Sequence, residues 1–213
     1  ATGASENALA FPGCTLPGVM TAGAAQTFAN VHHVLPGQDI VMVGSGNVGL
    51  IVTYQLLQAG ANVEAILEAA PRLSGYAVHA GKVRRAGVPV LLSHTVTRAM
   101  GDGSLEAVEI AQVDEHFAPI LGTEQVIPCD TLCLAVGLTP RVELADVSGC
   151  DLVWSGPLGG KLPRHNRHME SSRSNILVAG DLAGIEEAST ALDEGRLAGT
   201  RAACRLGLRD ERA

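Results

Sequence analysis

Between Asp39 and Glu68 the chain carries the pattern that most narrows its fold. Asp39-Ile40-Val41-Met42-Val43 is a short, β-branched apolar run, the mark of a buried strand. Gly44-Ser45-Gly46-Asn47-Val48-Gly49 follows at once, and Val48, Ile51, Val52, Leu56 and Ala59 then recur on one helical face. Gly60 suits the residue just past a helix end, and 62–67 reads as the next strand with Glu68 at its tip. Each residue of this unit has a physical task. Gly44 permits the tight turn out of the strand, Gly46 lets a pyrophosphate approach a backbone with no Cβ, and Gly49 lets the helix lie close on the sheet. The first amides of the helix, Asn47 and Val48 among them, and its positive dipole end would then face phosphate. Glu68 lies 24 residues after Gly44, where an acid accepts from ribose hydroxyls. A carboxylate there repels a 2′-phosphate and favours NAD over NADP, although Arg72 stands close by. The plainer reading is a glycine-rich turn that packs one helix on one strand. The strand before, the helix after and the acid at the right distance favour dinucleotide binding.

The rest of the chain extends an α/β pattern. Turn signals at Phe11-Pro12-Gly13 and Leu16-Pro17-Gly18 precede an Ala-rich helix over 21–34. A helix is predicted over 76–86 and strands over 88–92, 96–100, 105–113 and 130–136, with Gly101-Asp102-Gly103 as a hairpin turn. So a parallel α/β unit carries a meander and then returns to its sheet. A further strand, 176–179, ends at Gly180-Asp181, and a helix over 187–206 bears one stripe of mostly small residues, expected to pack very closely.

Composition removes other classes. The formal charge is 15 − 22 = −7 with no basic block, which argues against nucleic acid and anionic membrane surfaces as partners. The two long stretches without charge are broken by Pro, Gly, Asn and Gln, so neither reads as a membrane span. Five cysteines fall short of a disulfide scaffold and point to a reducing, cytoplasmic setting. There is no Cys-x-x-Cys. Cys129 and Cys133 share a strand face on this reading, but four residues at about 3.3 Å each put them too far apart to bridge, so both are expected in the core. His165 and His168 lack carboxylate or cysteine partners, and no metal site is expected. No Gly-x-Ser-x-Gly elbow occurs, and no catalytic acid or base can be named. Trp154 is expected to pack rather than to stack on a cofactor.

Four landmarks in order, Ala1-Thr2-Gly3-Ala4, Gly44 to Gly49, Asp130…Ala135-Val136-Gly137…Pro140 and Ile176…Ala179-Gly180-Asp181, resemble the FAD- and NAD(P)-dependent pyridine nucleotide-disulfide oxidoreductases over nearly the whole chain. Phe11-Pro12-Gly13 and the run from Leu16 to Gln26 look like the large flavin subunits of sarcosine oxidase, opine oxidase and hydrogen cyanide synthase. The resemblance implies a Rossmann-like, three-layer NAD(P)-binding domain (30–128) inserted in a partial FAD-binding domain (1–29 and 129–213). It implies FAD and NAD as cofactors, with NADP less favoured. Asp181, after Gly180, would bond the FAD ribityl chain, Thr2-Gly3 and Val136-Gly137 would line cofactor-facing loops, and the three motif glycines and Glu68 would hold NAD.

Two departures accompany it. The opening reads as a strand end without its strand, so the expectation is a piece of a longer protein whose first FAD-binding βαβ precedes Ala1, and FAD is expected to bind poorly to this chain alone. Thioredoxin-reductase-type disulfide exchange is not expected. The implied function is hydride transfer between a nicotinamide, or a small amine substrate, and flavin. The alternative is a non-catalytic dinucleotide-binding module that docks a partner, and assembly as a homo- or hetero-oligomer stays open.

Overall fold

A computed structural model describes residues 1–209. In chain order the first half forms β1 (Ala4–Glu6), β2 (Val19–Thr21), α1 (Ala22–Asn30), β3 (Asp39–Val43), α2 (Asn47–Gln58), β4 (Asn62–Glu68), α3 (Ala77–Arg85) and β5 (Val90–Leu92). The second forms β6 (His94–Met100), β7 (Ala107–Gln112), β8 (Gln125–Pro128), β9 (Thr131–Leu134), β10 (Leu138–Pro140), α4 (Glu143–Val147), β11 (Leu152–Ser155), β12 (Gly160–Pro163) and α5 (Ala188–Arg205). The chain divides into two compact units, one of residues 6–137 and one of residues 1–5 with the chain from Leu138 onward.

The larger unit has three layers. A parallel sheet in the order β2-β9-β3-β4-β5 lies between helices and an antiparallel meander, β6-β7-β8. Alternation along β3 assigns the faces, as the two-residue period of a strand requires. Ile40 and Met42 join Leu50, Leu56 and Val83 on the helical side, while Val41 and Val43 join Val96, Val108 and Ile110 under the meander. All of these side chains are buried. Thr21 caps α1, its Oγ1 accepting from Ala24 N at 3.3 Å. The helix stops at Asn30, short of the predicted 34.

The boundaries between the two compact units fall at 5/6 and 137/138. The reason is bonding. Ala99 N donates to Pro12 O at 2.9 Å and Leu105 N to Pro17 O at 2.8 Å, which fastens residues 6–18 to the meander. β2 pairs with β9, and β9 lies directly beside β3, so residues 129–137 supply an interior strand. Cys133 sits in the helix-side core and Cys129 in the meander-side core, so the two thiols do not share a face.

In the smaller unit β1 pairs with β10 and β11 with β12. The predicted strand over 176–179 is reduced to one bridge, Glu170 to Leu177, because no neighbour among the described residues runs beside its full length. Trp154 is 75% exposed, so it does not pack as expected. Of the small residues on α5, Ala198 packs against the unit's core and Ala191 lies against Gly180, but the stripe is not packed closely along its length. The helix has no buried residue, and Gly195 and Gly199 face open space. Charge adds to its hold. Glu170 accepts from Arg201 Nε at 2.5 Å, Arg205 Nη2 at 2.7 Å and Asn166 Nδ2 at 2.7 Å, and Glu194 accepts from Gly180 N at 2.7 Å. No helix among the described residues is long and apolar enough to cross a membrane.

The hydrogen bonds from Arg201 and Asn166 hold the Glu170 carboxyl at about 2, below its ordinary 4.5. A depressed carboxylate stabilises the fold above the ordinary value and loses that contribution as pH falls through the folded one. Protection of the α5 amides against hydrogen exchange, relative to an unfolded chain at the same pH, should therefore fall between about pH 4.5 and 2. Glu170→Gln should show the lowered protection already at pH 6, and an unchanged profile would refute this anchoring.

Candidate functional site

The C-terminal ends of β3 and β9 form the point where the sheet's connections diverge, since β3 has β4 on one side and β9 on the other. Open α/β sheets place their ligand crevices there. A cleft of about 510 Å³ occupies this position. Its lining includes Gly44, Ser45, Gly46, Glu68, Val136 and Gly137, all singled out in the sequence.

Local geometry explains two of the three motif glycines from within. Gly44 has φ +102°, and a Cβ there would meet Ala135 O at 2.3 Å. A Cβ on Gly49 would meet Gly44 O at 2.1 Å, so its absence lets α2 approach the turn. Gly46 is different. It begins α2 in an extended conformation (φ −63°, ψ 173°) that any residue adopts, with no side-chain cap. A Cβ there would meet only Ser74 Oγ, at 4.0 Å. Nothing within the fold demands glycine at 46.

Glu68 ends β4 and is buried. Its Oε2 accepts from Ser45 N at 3.0 Å, from Ser45 Oγ and from Ser74 Oγ at 3.2 Å, while Oε1 accepts from Ala70 N at 2.9 Å. Four donors use roughly the full acceptor capacity of a carboxylate. Glu68 is thus bonded into the glycine loop while it lines the cleft. Residues 69–76 drape over the loop. Gly75 N donates to Ser45 O at 2.9 Å and Tyr76 N to Asn47 Oδ1 at 2.8 Å. Arg72 on this segment is exposed and does not line the cleft.

Val48 and Gly49 lie in the first turn of α2. Thr2, Gly3, Gly180 and Asp181 belong to the smaller unit. There Arg141 N donates to Gly3 O at 2.9 Å, and Gly180–Leu182 forms a short 3-10 turn that presents Asp181 half-buried. Sequence reasoning missed Ser74, Leu9, Thr95 and Phe117, which also line the cleft. Only Phe117 offered a signal, as one of six aromatics in a chain poor in them.

The family model described as pyridine nucleotide-disulphide oxidoreductase matches residues 1–195. An opine oxidase chain of Rhizobium meliloti is 32% identical over 98% of this chain and 41% of its own length. Hydrogen cyanide synthase subunit HcnB of Pseudomonas aeruginosa is 33% identical over 93% of this chain and 46% of its own. The chain thus spans less than half of these relatives. Among solved structures, thioredoxin reductase of T. acidophilum superposes with a TM-score of 0.76 at 20% identity, over 96% of this chain and 64% of that one.

Thiol chemistry has little support at Cys129 or Cys133. Burial pushes both thiols up to about 12, with Asp130 adding to the effect on Cys129. Neither is a thiolate at neutral pH, and the thiolate is the reactive form. Cys150 is also buried, whereas Cys14 and Cys204 are partly exposed. An Ellman titration of the native chain should therefore modify Cys14 and Cys204 first. Fast modification of Cys129 or Cys133, located by peptide mapping, would contradict this placement.

Proposed function

Because the chain belongs to the pyridine nucleotide-disulphide oxidoreductase family, we propose that residues 6–137 bind NAD and that residues 1–5 with the chain from Leu138 form part of an FAD-binding domain. The observation that carries the proposal is Gly46. Two motif glycines answer to contacts inside the fold, and the third answers to none, yet it opens on the cleft at the strand-to-helix turn. A diphosphate lying on the backbone is what requires that missing Cβ. The cleft volume lies within the range usual for small-molecule and cofactor sites.

The chain's own contribution is binding and orientation. Amides at the start of α2 would hold the diphosphate. Glu68 keeps Ser45 in position and leaves a buried negative charge near the adjoining sugar, which disfavours a 2′-phosphate and so favours NAD. In the smaller unit Asp181 has no hydrogen bond or ion pair among the described residues, which suits an acceptor for the flavin side chain. The bound nicotinamide and flavin supply the two-electron chemistry. In the whole protein that chemistry would be hydride transfer between nicotinamide, or a small amine, and flavin. Relatives called opine oxidase and sarcosine oxidase support the amine alternative, and their designation as subunits supports assembly with other chains. Free cysteines fit a reducing compartment such as the cytoplasm.

Gly46→Ala tests the reading directly. The substitution should leave the melting temperature unchanged and weaken NADH binding at least about tenfold, as 1.4 kcal/mol of lost contact would. The unsubstituted chain should bind NADH more tightly than NADPH in the same titration. Undiminished NADH binding by Gly46→Ala would overturn the diphosphate seat.

A further inference from the structure

Phe117 stands at the wall of the cleft in a conformation that its own loop does not favour. It has φ +62°, where bulky residues are seldom found. It is also 60% exposed, so no core burial offsets the strain. The loop that presents it is closed and well bonded. Asp114 Oδ1 accepts from His116 N at 2.8 Å and Ala118 N at 2.9 Å, Phe117 N donates to Asp114 O at 3.1 Å, and Val113 bridges Pro119. A glycine or asparagine would satisfy this turn without strain. The residue there is instead a large aromatic held on a firm tip that lines the same cleft as Glu68, Leu9, Thr95 and Val136. Strained, solvent-facing residues of this kind concentrate at ligand sites.

We infer that Phe117 is a stacking platform for a planar heteroaromatic ring of the ligand, an assignment that rests on the dinucleotide reading of the cleft. The chemistry fits the wall. Leu9 and Val136 add apolar lining to the same cleft, whose polar side chains are Thr95 on β6, Glu68 at the end of β4, Ser45 in the glycine loop and Ser74 in the segment over it. A flat base covered on one face by an aromatic loses water from that face without needing a hydrogen-bond partner there. Both ends of a dinucleotide carry such a base, so adenine and nicotinamide share the chemistry and differ only in which end lies against the ring.

The test is calorimetric titration of the chain with NADH, ADP-ribose and reduced nicotinamide mononucleotide, with thermal melting as the check on folding. Phe117→Ala is expected to weaken NADH about tenfold, the scale of one base–aromatic stack. Phe117→Tyr should keep the affinity within about twofold, since it keeps the ring face. Phe117→Gly relieves the strained φ, so it should melt no lower than the unsubstituted chain and still show the weakened binding. A loss seen with ADP-ribose assigns the ring to adenine, and one seen with the mononucleotide assigns it to nicotinamide; either upholds the platform. Full NADH affinity in Phe117→Gly would overturn the platform while leaving the dinucleotide site standing. Failure of the unsubstituted chain to bind NADH would overturn the site and the platform together.

Discussion

A buried carboxylate holds the working end of this protein together. Glu68 leaves the tip of β4 and takes four hydrogen bonds, two of them from Ser45. A charge removed from water is costly unless it is surrounded by donors, and hydrogen bonds to a charged group contribute about 1.5–3 kcal/mol each when one partner is deleted. The arrangement therefore couples three segments. The glycine turn after β3, the end of β4 and the strip over 69–76 cannot shift independently without exposing or stranding that charge. The cleft keeps its shape because its floor is bonded to its wall.

The sheet beneath fixes where this clasp can form. β3 lies between β9 and β4, buried by helices on one face and by the meander on the other. Two apolar layers on alternate side chains leave one register that buries both sets. With β3 and β4 held in that register, Val43 pairs with Leu67, so Gly44 and Glu68 leave the sheet at the same level. The loop and the carboxylate meet because the strands end together.

Much of this was legible in the residues. The β-branched run at 39–43, the three glycines and the acid at 68 each have a local cause, and the strand, the turn, the helix and the next strand form where those causes place them. The hairpin at 101–103 was legible for the same reason, because turn chemistry is local. Other readings failed where the outcome depends on neighbours far away in sequence. The stripe on α5 is helical and small, yet nothing among the described residues lies against Gly195 or Gly199, and two arginines on Glu170 hold the helix together with Ala198 on the core. The run 176–179 is apolar enough for a strand but has only one bridge. Cys129 and Cys133 separate onto opposite cores because Cys129 lies before β9, outside the alternation that fixes Cys133.

The sequence alone determined the strand–glycine turn–helix–strand unit and the acid that closes it, since backbone freedom, helix periodicity and strand alternation act over a few residues. Only the tertiary structure decided that Glu68 is spent on Ser45, Ser74 and Ala70, that Gly46 alone of the motif glycines has room for a Cβ, and that Ser74 and Phe117 stand at the wall of the cleft. Those outcomes depend on where the segment over 69–76 and the loop at 114–118 come to rest. Their positions are set by packing against β4 and the meander, and no local pattern encodes a neighbour that folding has yet to bring near.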